Sequence, residues 1–140
     1  MIRKRIRVCR WVSAQGEISS VTGRIVATEP SRLFLEKHWT PALDICEQPK
    51  RIVVRVEVPG VEPEGITLLV HHNRLELRGE KKQEVHSGPA RYHRLERESG
   101  PFRRVVALPS AVLPEKTKAV LDNGVLLIVL VKAGSQEDAP

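Results

Sequence analysis

The chain has 140 residues, 41% of them hydrophobic and only 4% aromatic, with a formal charge of +6. That length allows one domain plus tails and is enough for a self-supporting core. The composition excludes a disordered chain, and no apolar run reaches the ~18–20 residues of a membrane helix. With so few aromatics the core must be built from Val, Leu and Ile, and Val and Ile favour strands.

Residues 1–38 carry 8 basic and 3 acidic residues, whereas residues 39–132 carry 15 and 12. The positive excess is therefore concentrated at the N-terminus. A basic arm is able to touch nucleic acid or anionic lipid. The preferred reading is plainer: an arm for solubility, client contact or assembly. Ile2, Ile6, Val8, Trp11 and Val12 lie scattered among Arg3, Lys4, Arg5, Arg7 and Arg10 with no clean period. Ser31 to Lys37 has the pattern of a short helix capped by Ser31. Residues 1–38 read as a flexible arm with apolar spots. The basic N-terminus is followed by no apolar stretch of the kind a secretory signal needs.

From Trp39 the texture changes. Leu43 and Ile45 alternate with Asp44 and Cys46, the pattern of a short strand. Pro41 and Pro49 around it suit an edge. In Arg51–Val58, the residues Ile52, Val54, Val56 and Val58 share one face, and Arg51, Arg55 and Glu57 share the other with Val53. That is period-two patterning with one buried face. Pro59 to Gly65 breaks the ladder. Ile66, Leu68 and Val70 alternate inward, His72-Asn73-Arg74 turns the chain, and Leu75 and Leu77 continue as a strand that stops at Gly79.

Residues 80–101 are polar and contain Gly88-Pro89 and Gly100-Pro101. Long loops in compact domains are usually functional or disordered. A strand resumes at Phe102 and stops at Pro109, with Phe102, Arg104, Val106 and Leu108 on one face. Asn123-Gly124 then lies between two apolar runs. Both residues tolerate positive φ, so residues 118–131 read as a hairpin. Seven or so short strands with turn signals between them predict an all-β, antiparallel immunoglobulin-like β-sandwich over 39–132. Residues 1–38 form the arm and 133–140 a short C-terminal tail.

Signals for chemistry are sparse. His38, His71, His72, His86 and His93 have no metal-ligand spacing, and His71-His72 are placed on opposite faces at a strand end. No Ser-His-Asp or Cys-His constellation, paired carboxylate or phosphate loop appears. Neither a catalytic site, a metal site nor a cofactor is expected. Cys9 and Cys46 form no CxxC and no zinc cluster, so a reducing cytoplasm fits best. Trp11 is thin support for base stacking, and no specific nucleic-acid or membrane partner is expected.

Several fragments resemble the α-crystallin domain of small heat-shock proteins, in that family's order. Trp39-Thr40-Pro41-Ala42-Leu43-Asp44-Ile45 with Glu47 looks like its domain start, and Val56-Glu57-Val58-Pro59-Gly60-Val61 like its first strong strand and turn. Arg74-Leu75-Glu76-Leu77-Arg78-Gly79-Glu80 resembles its L-x-I-x-G-E segment. Tyr92-His93-Arg94, Glu96-Arg97 and Gly100-Pro101-Phe102 resemble the loop of its bacterial and plant branch. The run from Phe102 to Pro109 and the closing Asn123-Gly124-Val125-Leu126 complete the series. Each fragment alone is weak; their order makes the resemblance strong.

The resemblance implies an ATP-independent holdase that binds unfolding proteins and limits their aggregation. It also implies a homodimer, in which the long loop carries Tyr92, His93 and Arg94 as a strand into the partner's sheet. Arg104 aligns with the family's arginine near that interface. An Arg on an inward strand face needs a carboxylate or carbonyl partner. A groove beside the strands at 66–70 and 118–121, with Leu68, Leu69, Val70 and Val120, is the expected seat for clients or tails. Leu69 is apolar where the alternation points outward, and cover by the N-terminal arm or a partner is an equal reading of it.

The family's tail motif Ile-x-Ile is missing after Lys132, which favours dimers or small assemblies. Ile25-Val26 and Leu33-Phe34-Leu35 are candidates for an internal substitute. The rival reading is a CS-domain-like co-chaperone or adaptor that binds a folded partner and lacks the exchanged-strand loop.

Overall fold

The structure, a computed structural model, describes residues 4–5, 8–10, 39–84 and 86–135. Among the described residues nine strands follow one another: β1 (Lys4–Arg5), β2 (Val8–Arg10), β3 (Leu43–Glu47), β4 (Arg51–Glu57), β5 (Ile66–Val70), β6 (Arg74–Lys81), β7 (Gly100–Ala107), β8 (Lys118–Asp122) and β9 (Val125–Val131). They form two sheets, one ordered β1-β8-β9-β4-β3 and the other β2-β5-β6-β7. Every pairing is antiparallel except β2 on β5, which is parallel. The described helical structure is two three-residue 3-10 turns, Pro63–Gly65 and Pro114–Lys116, each opened by proline.

The period-two pattern places the core between the sheets. Ile52, Val54 and Val56 of β4 meet Leu126, Ile128 and Leu130 of β9 from one side, and Leu68 and Val70 of β5 come from the other; all are fully buried. Phe102 is the large residue that fills the β7 side, at 1% exposure. Its ring occupies the room left by the missing side chain of Gly79, its register partner on β6. Trp39 closes the same corner. Its backbone N–H donates to Pro101 O (3.3 Å), its Nε1 donates to Gly100 O (3.0 Å), and its ring lies 5.0 Å from that of Phe102.

The hairpin read at Asn123-Gly124 is present. Asn123 has φ 52° and Gly124 φ 76°, and Asp122 pairs with Val125 across the turn. Gly124 O accepts from Val58 N–H (2.8 Å), which ties the turn to the end of β4. Two strands run further than their side-chain patterns. β6 continues to Lys81 and β7 begins at Gly100, because Glu80 and Lys81 pair with Pro101 and Gly100. Backbone pairing there needs no apolar side chain, so alternation gave no sign of it.

The N-terminal strands differ from the sequence reading, which placed no strand in residues 1–38. Lys4 and Arg5 pair with Leu121 and Val120, and Val8, Cys9 and Arg10 pair with Leu68, Leu69 and Val70. Such short pairings rest on main-chain groups and leave no periodic trace. The helix read at Ser31–Lys37 and the candidate motifs Ile25-Val26 and Leu33-Phe34-Leu35 lie outside the described residues.

Candidate functional site

The sandwich offers strand edges and a projecting loop as its interaction features. The first edge is β3, the terminal strand of the five-stranded sheet. It pairs with β4 on one side, and no strand among the described residues pairs with its other side. Ile45 on it is 38% exposed, and Cys46 is exposed with a free thiol. The end of this edge is fixed by Glu47. Its Oε1 accepts from Lys132 Nζ (2.6 Å) and Ser110 Oγ (2.6 Å). These hydrogen bonds, Lys132 first, hold the Glu47 carboxyl below the usual carboxylate range.

The loop between β6 and β7 is exposed at residues 82–84 and 86–98. Tyr92 is 51% exposed and Leu95 64% exposed, and His93 and Arg94 are exposed beside them. The loop is held by light internal contacts: Tyr92 OH donates to Glu84 O (3.5 Å), the His86 and Tyr92 rings lie 5.6 Å apart, and Arg94 pairs with Glu96 at 3.0 Å. Tyr92, His93 and Arg94 are thus exposed together and belong to no strand.

Arg104 sits elsewhere, half-buried on the inward face of β7 between Phe102 and Val106. Its Nη1 donates to Pro41 O (3.1 Å), a carbonyl partner of the kind an inward Arg requires. Pro41 lies just before β3, so Arg104 links β7 to the approach of the open edge.

The four residues grouped as a groove separate by face. Leu68 and Val70 are fully buried members of the core, while Leu69 and Val120 are half-buried on outward faces. The edges of β5 and β8 that carry them are already paired, Leu69 lying opposite Cys9 and Val120 opposite Arg5.

Three features escaped the sequence reading. Glu76 points outward by alternation yet is only 3% exposed. Arg103 Nε lies 2.9 Å from its Oε1 and Arg78 Nε 3.7 Å, so two guanidiniums cover one carboxylate. Arg78 and Arg103 are register partners on β6 and β7, and diagonal cross-strand spacing was the available signal. Second, β9 is apolar on both faces. Its outward Leu127 and Val129 are half-buried beside Val53, which is 7% exposed. Third, the His71 and His72 rings lie 5.3 Å apart rather than on opposite faces, because β5 ends at Val70 and alternation stops with it. Among the described residues no group of three or more His, Cys, Asp or Glu is placed to hold a metal, and no helix is long and apolar enough to cross a membrane.

These features define a class: a two-sheet β domain with an open strand edge, an exposed loop, and two further edges paired with short N-terminal strands. Residues 44–140 match the model of the Hsp20/alpha crystallin family. The chain is 33% identical over 109 residues to a 17.6 kDa class I heat shock protein of Helianthus annuus, covering 77% of this chain and 71% of that one. It is 36% identical over 91 residues to an 18.1 kDa class I heat shock protein of Oryza sativa, covering 64% of this chain and 56% of that one. The chain thus spans little more than half the length of this rice relative. Among solved structures it is similar to hspA of Xanthomonas axonopodis (TM-score 0.63, 33% identity, 71% of this chain and all of that one). It is also similar to heat shock protein 16.0 of Schizosaccharomyces pombe (TM-score 0.62, 28% identity, 74% and 96%). The chain belongs to the Hsp20/alpha crystallin family, which supports a chaperone role.

Proposed function

We propose that this protein is an ATP-independent holdase, working in the cytoplasm, that binds unfolding proteins and suppresses their aggregation. The observation that carries the reading is the pairing of an exposed loop with an open edge. The loop presents Tyr92, His93 and Arg94, and β3, with an exposed Ile45, has an outer side that no strand among the described residues pairs. An open edge is a liability until another chain covers it. In a homodimer the loop of one protomer pairs along β3 of the other, with Arg104 holding the approach to that edge in place. The α-crystallin-like domain at 39–132 then acts as the assembly unit, with an N-terminal arm at 1–38 and a tail at 133–140.

Clients are held on apolar surface around Leu69 and Val120 and on main-chain edges. Burying ~400 Å² of apolar area gives roughly 10 kcal/mol gross. Association and ordering cost about 4–15 kcal/mol, so a single site binds weakly. Useful capture comes from several sites per assembly. No nucleotide, metal or catalytic step enters this scheme, and release falls to other chaperones.

The test is light scattering from a heat-labile client warmed with and without the protein, in the absence of ATP. Suppression near equimolar subunits supports the holdase. Unchanged scattering, with the protein itself folded and soluble, would rule it out and favour an adaptor for a folded partner.

A further inference from the structure

The outer face of the β2-β5-β6-β7 sheet carries a row of hydrogen-bond donors. Arg78 on β6 is the register partner of Thr67 on β5 and of Arg103 on β7. Thr67 and Arg103 are exposed and Arg78 is half-buried. Neighbouring strands lie about 4.8 Å apart, so a hydroxyl-bearing residue and two arginines stand side by side across three strands. Like charges directly opposite one another on a sheet are destabilising. Glu76, only 3% exposed, offsets one of them: Arg103 Nε donates to its Oε1 at 2.9 Å, and Arg78 Nε lies 3.7 Å from the same oxygen. Two cations against one anion leave one positive charge unbalanced. Arg74, exposed and on the same face by alternation, adds to the field.

Glu76 meets both guanidiniums through Nε, and neither contact uses an Nη group. The paired Nη groups form the flat fork that grips oxyanions, so the gripping end of each arginine is left for another anion. Arg78 Nε is moreover buried without a hydrogen-bond partner. A buried donor left unmade costs stability and is uncommon in folded proteins. Arg78 is thus kept beside Arg103 although its Nε gains the fold no hydrogen bond. The two side chains are 38% and 37% exposed, so solutes reach them.

We propose that Arg78 and Arg103, with Thr67, form a binding site for a phosphoryl group. A carboxylate has two oxygens, and one arginine fork saturates it. A phosphoryl group presents three acceptor oxygens, enough to engage both forks and the Thr67 hydroxyl. Its charge of about −1.5 to −2 at neutral pH offsets the charge that Glu76 leaves unbalanced. Glu76 is the positioning residue: it fixes Arg103 by Nε, so less side-chain freedom is lost when the fork closes on its ligand. The site lies on an open sheet face, so the group it takes is either free phosphate or the end of a larger phosphorylated molecule. It belongs to the sheet that does not contain β3, and it stands independently of the holdase reading.

The test is calorimetric titration of the full chain with inorganic phosphate and, separately, with inorganic triphosphate, in about 0.15 M NaCl to screen diffuse attraction. We expect saturable binding of one anion per chain. Arg103→Lys keeps a cation beside Glu76, and with it the fold, but loses the fork; it should bind at least about tenfold more weakly. Arg78→Gln should weaken binding by a similar factor. Arg74→Gln removes one charge from the same face outside the row and should stay within about twofold of wild type. A circular dichroism scan confirms that each variant is folded. Binding of both anions supports the site with free phosphate as a sufficient ligand, and binding of triphosphate alone supports it with the end group of a larger molecule as the ligand. Three results would overturn the site: no saturable binding of either anion up to ~10 mM, wild-type binding by Arg103→Lys, or a loss in Arg74→Gln equal to that in Arg103→Lys.

Discussion

Gly79 is the position where one methyl group should cost most. Its backbone is ordinary for a strand, so the effect of Gly79→Ala is purely steric. A Cβ built there would lie 2.2 Å from Gly65 O, 2.6 Å from Phe102 Cζ and 3.0 Å from Phe102 Cε1. The carbonyl belongs to the main chain at the end of the 3-10 turn that leads into β5, so it cannot swing aside alone. The ring is 1% exposed and backed by Trp39 at 5.0 Å, so it has little room to retreat. Overpacking of this kind costs about 1–3 kcal/mol. The lower unfolded-state entropy of Ala returns roughly 0.4–1 kcal/mol. Because one of the clashes is with backbone, we expect a net loss of about 2 kcal/mol, near the upper end. For a domain of this size that lowers Tm by roughly 8–16 °C. The assay is a thermal scan by circular dichroism or calorimetry on wild type and Gly79→Ala. A second pair in a Phe102→Leu background separates the causes. If the ring is the main barrier, the two substitutions couple by about 0.5 kcal/mol or more. A Tm for Gly79→Ala within ~2 °C of wild type would refute the packing argument.

Gly124→Ala places a side chain at φ 76° and a Cβ 3.1 Å from Pro59 Cα; urea unfolding should show a loss of about 1–2 kcal/mol with an unchanged slope. Glu47 has a folded pKa below its usual value through Lys132 and Ser110. Its contribution is present above the ordinary Glu range and lost as pH falls through the folded value. Glu47→Gln should therefore be less stable than wild type near neutrality, with the gap closing in acid; a gap that widened in acid would contradict this. Deleting residues 86–98 should leave a folded monomer, since β6 and β7 stay intact on either side of the loop; a deletion variant that remained dimeric by light scattering would show that this loop is not the exchanged element.

The sequence alone determined the alternating strands. Ile52, Val54 and Val56 were legible as a buried face because a one-residue slip would turn every one of them to solvent. The Asn123-Gly124 hairpin was legible because so few residues accept positive φ. Those signals are local, carried by period two and turn chemistry, and with the ordered fragments from Trp39 to Leu126 they specified the fold.

What only the tertiary structure decided is non-local. Glu76 became a buried carboxylate because Arg78 and Arg103 are brought over it from two strands. Gly79 became indispensable because a ring 23 residues onward fills its space. Leu68 and Val70 went to the core and Leu69 and Val120 to the outside, and the edges carrying them proved to be paired with Lys4–Arg5 and Val8–Arg10. Main-chain pairing carries no side-chain period, so an N-terminal segment that reads as a basic arm gives no sign of which edges it closes.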